Sequence, residues 1–123
     1  MAMRLPRRNE MREKAMREVI LAQLGALRAD AGVEQVACKD ECVGDYLAGK
    51  TDALAVAMQM VEAKALIETM TCFLRHEETR NMNMAASARL CSKDTMARLR
   101  EGAAAGYMAA SRVVTEVREA NKS

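Results

Sequence analysis

Four cysteines, Cys38, Cys42, Cys72 and Cys91, and one histidine, His76, are the candidates in this sequence for metal-ligand or nucleophile chemistry. Cys38 and Cys42 stand four residues apart, and so do Cys72 and His76. On a helix that spacing puts both members of a pair on one face, with Cβ atoms roughly 6 Å apart. Two such pairs on facing helices would offer three thiolates and an imidazole, a donor set that binds zinc tetrahedrally. The short knuckle that usually separates paired zinc ligands is missing, so the leading expectation is no metal and free thiols, with Cys38, Cys42, Cys72 and His76 as the only candidate ligands. A disulfide between Cys38 and Cys42 would strain a single helical turn, and a reducing compartment would oppose it. Cys91, between Leu90 and Ser92 at an expected helix junction, reads as a buried thiol.

Nucleophilic catalysis needs a base and an orienting group beside the nucleophile, and His76 is the one histidine. A Cys72/His76 dyad within one helix would lack oxyanion donors, because mid-helix amides are spent on the helix itself. Glu77 and Glu78 adjoin an expected helix end and read as solvated charge. Arg75, Arg89, Arg98 and Arg112 fall on outward faces by helical phase, so they do not converge on an anionic substrate. No glycine-rich phosphate loop or dinucleotide fingerprint is present. The chain therefore reads as a non-enzyme that needs no cofactor.

These groups must be held by helices. Among 123 residues, Leu, Ile, Val and Phe supply only 22, whereas Ala supplies 23 and Met 11. Sheet folds draw on β-branched and aromatic residues, which are scarce here. Ala, Glu, Lys, Leu and Arg fill 64 positions, as in long helices and coiled coils. The expected fold is an all-α bundle of three long helices and one short one, a single helical unit over 1–123 with residues 1–8 as a flexible basic arm. The first helix is predicted from about Asn9 to Ala31, stopped by Gly32, with Met16, Ile20, Leu24, Leu27 and Ala31 inward and its other faces charged. Residues 33–43 suggest the short helix, and Gly44 and Gly49 bracket a turn. A long helix from the cap candidates Thr51 and Asp52 to about Arg80 is apolar on two sides over its first half, which places it between two neighbours, one of them from a second subunit. Asn81 to Asn83 reads as a break. Ser92 or Asp94 then caps a last helix reaching Ala120.

That last helix carries a heptad seam: Met96, Leu99, Ala103, Gly106, Ala110, Val113 and Val117. Two helix-interior glycines, Gly102 and Gly106, cost about 1 kcal/mol each relative to alanine, which calls for close approach of another backbone. Segments 54–67 and 96–117 are thus the expected interface of a homodimer, with Leu54, Met58, Val61, Leu99, Ala103, Gly106, Ala110, Val113 and Val117 at its centre.

Eleven methionines exceed ordinary usage several-fold, and thioether chains adapt to irregular surfaces. Met16, Met58, Met60, Met70 and Met96 read as core fillers; Met82, Met84 and Met108 read as partner contacts. Net charge is only +2, although residues 4–17 hold six basic groups against Glu10 and Glu13. The interleaved glutamates argue against nucleic acid, the shortage of aromatics against base stacking, and the absence of a long apolar run against a membrane. The expectation is a small cytoplasmic regulatory protein that binds another protein, such as an antiactivator or adaptor on a transcription regulator. Two alternatives carry different signatures: a metal or redox sensor using Cys38, Cys42, Cys72 and His76, and a nucleic-acid binder using the basic N-terminal segment.

Overall fold

The computed structural model describes residues 8–122. They form four packed helices, α1 (Arg8–Ala37), α2 (Glu41–Glu62), α3 (Ile67–Leu90) and α4 (Asp94–Ala120), and no strand occurs among the described residues. The all-α expectation holds, but the helices have 30, 22, 24 and 27 residues, in place of three long and one short. The expected basic arm lies outside the described residues apart from Arg8, which begins α1.

The boundaries differ from expectation for one physical reason. All six glycines lie inside helices, so none of them acts as a stop: Gly25 and Gly32 in α1, Gly44 and Gly49 in α2, Gly102 and Gly106 in α4. The first helix runs through Gly32 to Ala37, and the expected turn at 44–49 is helical. The real stops use non-glycine residues in the left-handed region, Lys64 (φ 59°) and Ser92 (φ 57°). At α2 the Ala65 amide donates to the Met60 carbonyl at 3.1 Å, and at α3 the Lys93 amide donates to the Ala88 carbonyl at 2.8 Å. Both are the six-to-one bond of a Schellman ending. Arg17 of α1 reinforces the first, donating from its guanidinium to the Ala65 carbonyl at 2.8 Å and to the Lys64 carbonyl at 3.4 Å. The expected long helix is therefore cut at 63–66, and the expected break at Asn81 is continuous helix, because Asn81 donates to the Glu77 carbonyl within its own helix at 2.7 Å. The start of α2 is fixed by Asp40, whose side chain accepts from the Cys42 amide at 2.8 Å; the expected caps, Thr51 and Asp52, sit mid-helix.

Short connections make sequential helices antiparallel, so α1 and α3 run one way and α2 and α4 the other. The two parallel helices, α2 and α4, form the centre of the bundle, α1 covers α2, and α3 covers α4. Glycine makes the central contact. A Cβ at Gly49 would strike the Leu99 carbonyl oxygen, one at Gly102 would strike the Tyr46 carbonyl oxygen, and one at Gly106 would lie 2.7 Å from the Lys50 carbonyl oxygen and 2.8 Å from the Ala53 Cβ. The close approach expected from Gly102 and Gly106 is present, and it joins two helices of one chain. The two neighbours of the two-sided helix are likewise α1 and α4 of the same chain, with Met58 against Gly25 on one side.

Larger apolar side chains fill the half of the bundle near the α2–α3 turn: Ile20 and Leu24 from α1, Leu54 and Val61 from α2, Met70 and Leu74 from α3, Val113, Val114 and Val117 from α4. The Phe73 and Tyr107 rings meet edge to face, with centroids 6.4 Å apart. Toward the other end the helices pack through Ala and Gly, including Ala97, Gly102 and Ala104. No helix among the described residues is long and apolar enough to cross a membrane.

Candidate interaction surface

Cys38 lies in the connection between α1 and α2, and Cys42 in the first turn of α2. Cys72 and His76 occupy the second and third turns of α3, which starts near the far end of α2 and runs back antiparallel to it. A 22-residue helix, about 33 Å long, separates the two ends. The pairs therefore do not meet, and among the described residues no group of three or more His, Cys, Asp or Glu side chains could hold a metal ion. All four cysteines are free thiols; Cys42, Cys72 and Cys91 are exposed and Cys38 is half-buried, donating to the Asp40 carbonyl at 3.4 Å. Cys91 is thus not the buried thiol that its flanking residues suggested, because it caps the C-terminus of α3 at the surface. The exposed Cys72 and His76 sit on continuous helix, where backbone amides offer no oxyanion hole.

Two of the outward arginines, Arg89 and Arg98, are used structurally. Arg98 pairs with Asp45 at 3.1 Å and ties the start of α4 to α2; its hydrogen bond to Asp45 pushes the guanidinium pKa further up. Arg89 donates to Glu101 at 2.6 Å, and Arg118 to Glu68 at 3.2 Å, across the α3–α4 contact. A polar cleft of about 390 Å³ lies where α2 and α3 diverge over α4. Asn81 is buried in its wall and fully occupied, donating to the Glu77 carbonyl and accepting from Arg100 at 3.2 Å. Tyr107 lies on its floor, where burial first and the Glu77 carboxylate second push the phenol pKa up. Each polar group has a partner or a solvated face, so the cleft reads as a satisfied network that aligns α3 with α4.

The structure divides the expected interface residues. Leu54, Val61, Gly106, Ala110, Val113 and Val117 are buried by the chain's own helices, and Met58, Leu99 and Ala103 are half-buried. The seam from Met96 to Val117 is thereby filled mainly by α2 and α3, not by a second subunit. Met96 itself is 46 % exposed and does not fill the core; Met70 is fully buried, and Met16, Met58 and Met60 lean against the core as expected. The three partner methionines separate. Met84 lines an open groove of about 600 Å³ between the second half of α3 and the start of α4, together with His76, Arg80, Ala88, Cys91 and Met96. Met108 lines a shallower groove on the other flank of α3, beside Arg75, Glu78 and Arg112. Met82 is exposed and lines neither groove.

Comparison with protein-family models, with curated proteins and with solved structures finds no match for this chain.

Sequence reasoning passed over the outward face of α1, taken there as charged. It exposes Val19, Val33 and Val36. The signal was present as a second apolar stripe, hidden because the core-facing stripe of the same helix is stronger.

Proposed function

We propose that the chain is a non-enzymatic regulatory protein that works by binding another protein through the α3–α4 groove, in the manner of an antiactivator or adaptor that covers a surface of a transcription regulator. The observation that carries this reading is the open groove with Met84 and Met96 along it and the 88 % exposed Leu90 beside the turn that ends it. Methionine is the side chain that refits to differing apolar partners, and a groove walled by helices accepts an amphipathic helix through its i, i+3, i+4 anchors. Lys93, which lines the groove, favours a partner helix with an acidic residue flanking its apolar anchors, while Arg80 beside it is already paired with Glu77 at 3.1 Å. The test is native mass spectrometry of the protein purified from its own host, repeated with Met84→Asp and Met96→Asp. The expected result is a stoichiometric second protein lost in both variants, each with unchanged helicity. Retention of the same partner by both variants would move the site off the groove, and a zinc increment lost on mutating Cys42 or His76 would replace this reading with metal sensing.

A further inference from the structure

The cleft where α2 and α3 diverge over α4 contains one group that the network around it leaves over. Tyr107 is only 8 % exposed, yet its hydroxyl makes no hydrogen bond with any described residue. Its ring packs edge to face on Phe73, a contact that phenylalanine would make equally well, so packing does not call for the hydroxyl. A buried phenol ordinarily has a partner. Here the hydroxyl opens into the cleft, and its surroundings there are charged: Asp52 of α2, Glu77 and Arg80 of α3 and Arg100 of α4 all act on it.

Of these four, Glu77 and Arg80 pair with each other at 3.1 Å. Arg100 donates one nitrogen to the Asn81 side-chain oxygen at 3.2 Å and keeps its other donors. Asp52, at an exposed position, makes no ion pair or hydrogen bond with a described residue. The cleft therefore presents one unpaired carboxylate on α2 and one guanidinium with donors to spare on α4, with the phenol in reach of both. The glycine contacts hold α2 and α4 closest of all the helices, so the separation of Asp52 and Arg100 is set before any ligand arrives.

We infer that the cleft binds a free aliphatic α-amino acid, its ammonium on Asp52, its carboxylate on Arg100 and Tyr107, and its side chain against Val56, Met96 and Leu99. Charge selects this class. A ligand of one sign, such as a phosphate or a polyamine, would meet as much like charge as opposite among Asp52, Glu77, Arg80 and Arg100. A zwitterion meets an opposite charge at each end. A sugar has no ion to offer Asp52 or Arg100, and its hydroxyls would lie on walls that Val56, Met96 and Leu99 make apolar. The same walls favour an aliphatic side chain over a polar one. At about 390 Å³ the cleft is at the small end of ligand sites, which suits a molecule of amino-acid size. Burial and the Glu77 carboxylate keep the phenol protonated at neutral pH, so it donates to the ligand carboxylate.

The test is isothermal titration calorimetry of the full chain with L-leucine, L-isoleucine, L-valine and L-methionine. At least one of them is expected to bind at millimolar concentration or below. Its amide and its deaminated analogue, each lacking one charged contact, should bind roughly 10-fold more weakly or worse. Asp52→Asn should keep its helicity and lose roughly 10-fold in affinity; Tyr107→Phe should keep the Phe73 contact and lose roughly 5-fold. Met84→Asp should bind the amino acid as the parent does, so this site and the α3–α4 groove are tested separately. Binding of none of the amino acids at millimolar concentration would overturn the inference. So would an amide or a deaminated analogue that binds as tightly as the amino acid, or an Asp52→Asn or Tyr107→Phe protein that binds as tightly as the parent.

Discussion

Replacing Gly102 by alanine tests the central contact of the bundle directly. In an unconstrained helix interior the substitution gains about 1 kcal/mol, because alanine loses less backbone freedom on folding. Here the new methyl would overlap the Tyr46 carbonyl oxygen, with the Tyr46 carbonyl carbon 2.7 Å and its Cα 3.0 Å away. The obstacle is backbone, which cannot rotate aside as a side chain does. Relief requires α2 and α4 to move apart, loosening the Gly49 and Gly106 contacts on the same line. Overpacking of this kind costs about 3 kcal/mol at the upper end of the usual range, so the net loss is about 2 kcal/mol. For a domain of this size that lowers the melting temperature by about 8 °C. Gly44→Ala is the control: no atom lies within 4 Å of its Cβ position, so it should gain about 1 kcal/mol and melt about 4 °C higher. The assay is thermal unfolding followed by circular dichroism, at one fixed chain concentration so that association contributes equally. A Gly102→Ala protein that melts at or above the parent temperature would refute the close α2–α4 contact.

Three further outcomes follow from the helix ends and the polar cleft. Lys64→Gly should stabilise the protein by about 1 kcal/mol, since Lys64 holds a φ of 59° that costs a side-chain-bearing residue and not glycine; urea unfolding reads the gain. Arg17→Ala should destabilise by about 1–2 kcal/mol by stripping the Ala65 and Lys64 carbonyls of their guanidinium partner, and Arg17→Lys should recover only part of it because one ammonium replaces a planar fork. Burial raises the Tyr107 pKa above its ordinary value of 10.0, so the folded state holds the phenolic proton more tightly than the unfolded state does. The resulting stability is complete below pH 10.0 and is lost as pH rises through the higher folded value. Urea midpoints of the parent should therefore fall faster above that pH than those of Tyr107→Phe; parallel curves would count against the buried phenol.

The composition alone settles the class of fold. A chain with 23 alanines, 11 methionines and few β-branched or aromatic residues cannot build a sheet core, and its last helix, from Asp94 to Ala120, is legible from a seam with no competing pattern. The glycines at 102 and 106 likewise announce close backbone approach, because their helical cost needs a reason. Local pattern could not say where the other helices end. Glycine is both the commonest stop and the residue of tight packing; in this chain Gly49, Gly102 and Gly106 serve tight packing and none of the six glycines is a stop, while Lys64 and Ser92 take the left-handed turns. An αL turn at lysine is tolerated because Arg17, 47 residues away in sequence, holds the adjoining carbonyl at Lys64.

Candidate sites divide along the same line. Met84 was expected at a partner contact because it adjoins an expected helix break, and the structure has continuous helix there, with Met84 along an open groove; that Met96 lies on the same groove was not readable, since its heptad position pointed inward. The i, i+4 spacing of Cys38 with Cys42 and of Cys72 with His76 is a fact of the sequence, but whether two such pairs meet depends on which helix ends adjoin. Whether a small-residue seam faces its own chain or another is likewise beyond local pattern. Leu54, Gly106 and Val117 are covered from within, whereas the valines of α1 remain uncovered. Periodicity states that a face wants a partner, and only the three-dimensional packing, through which surfaces are already taken, decides whether one is still missing.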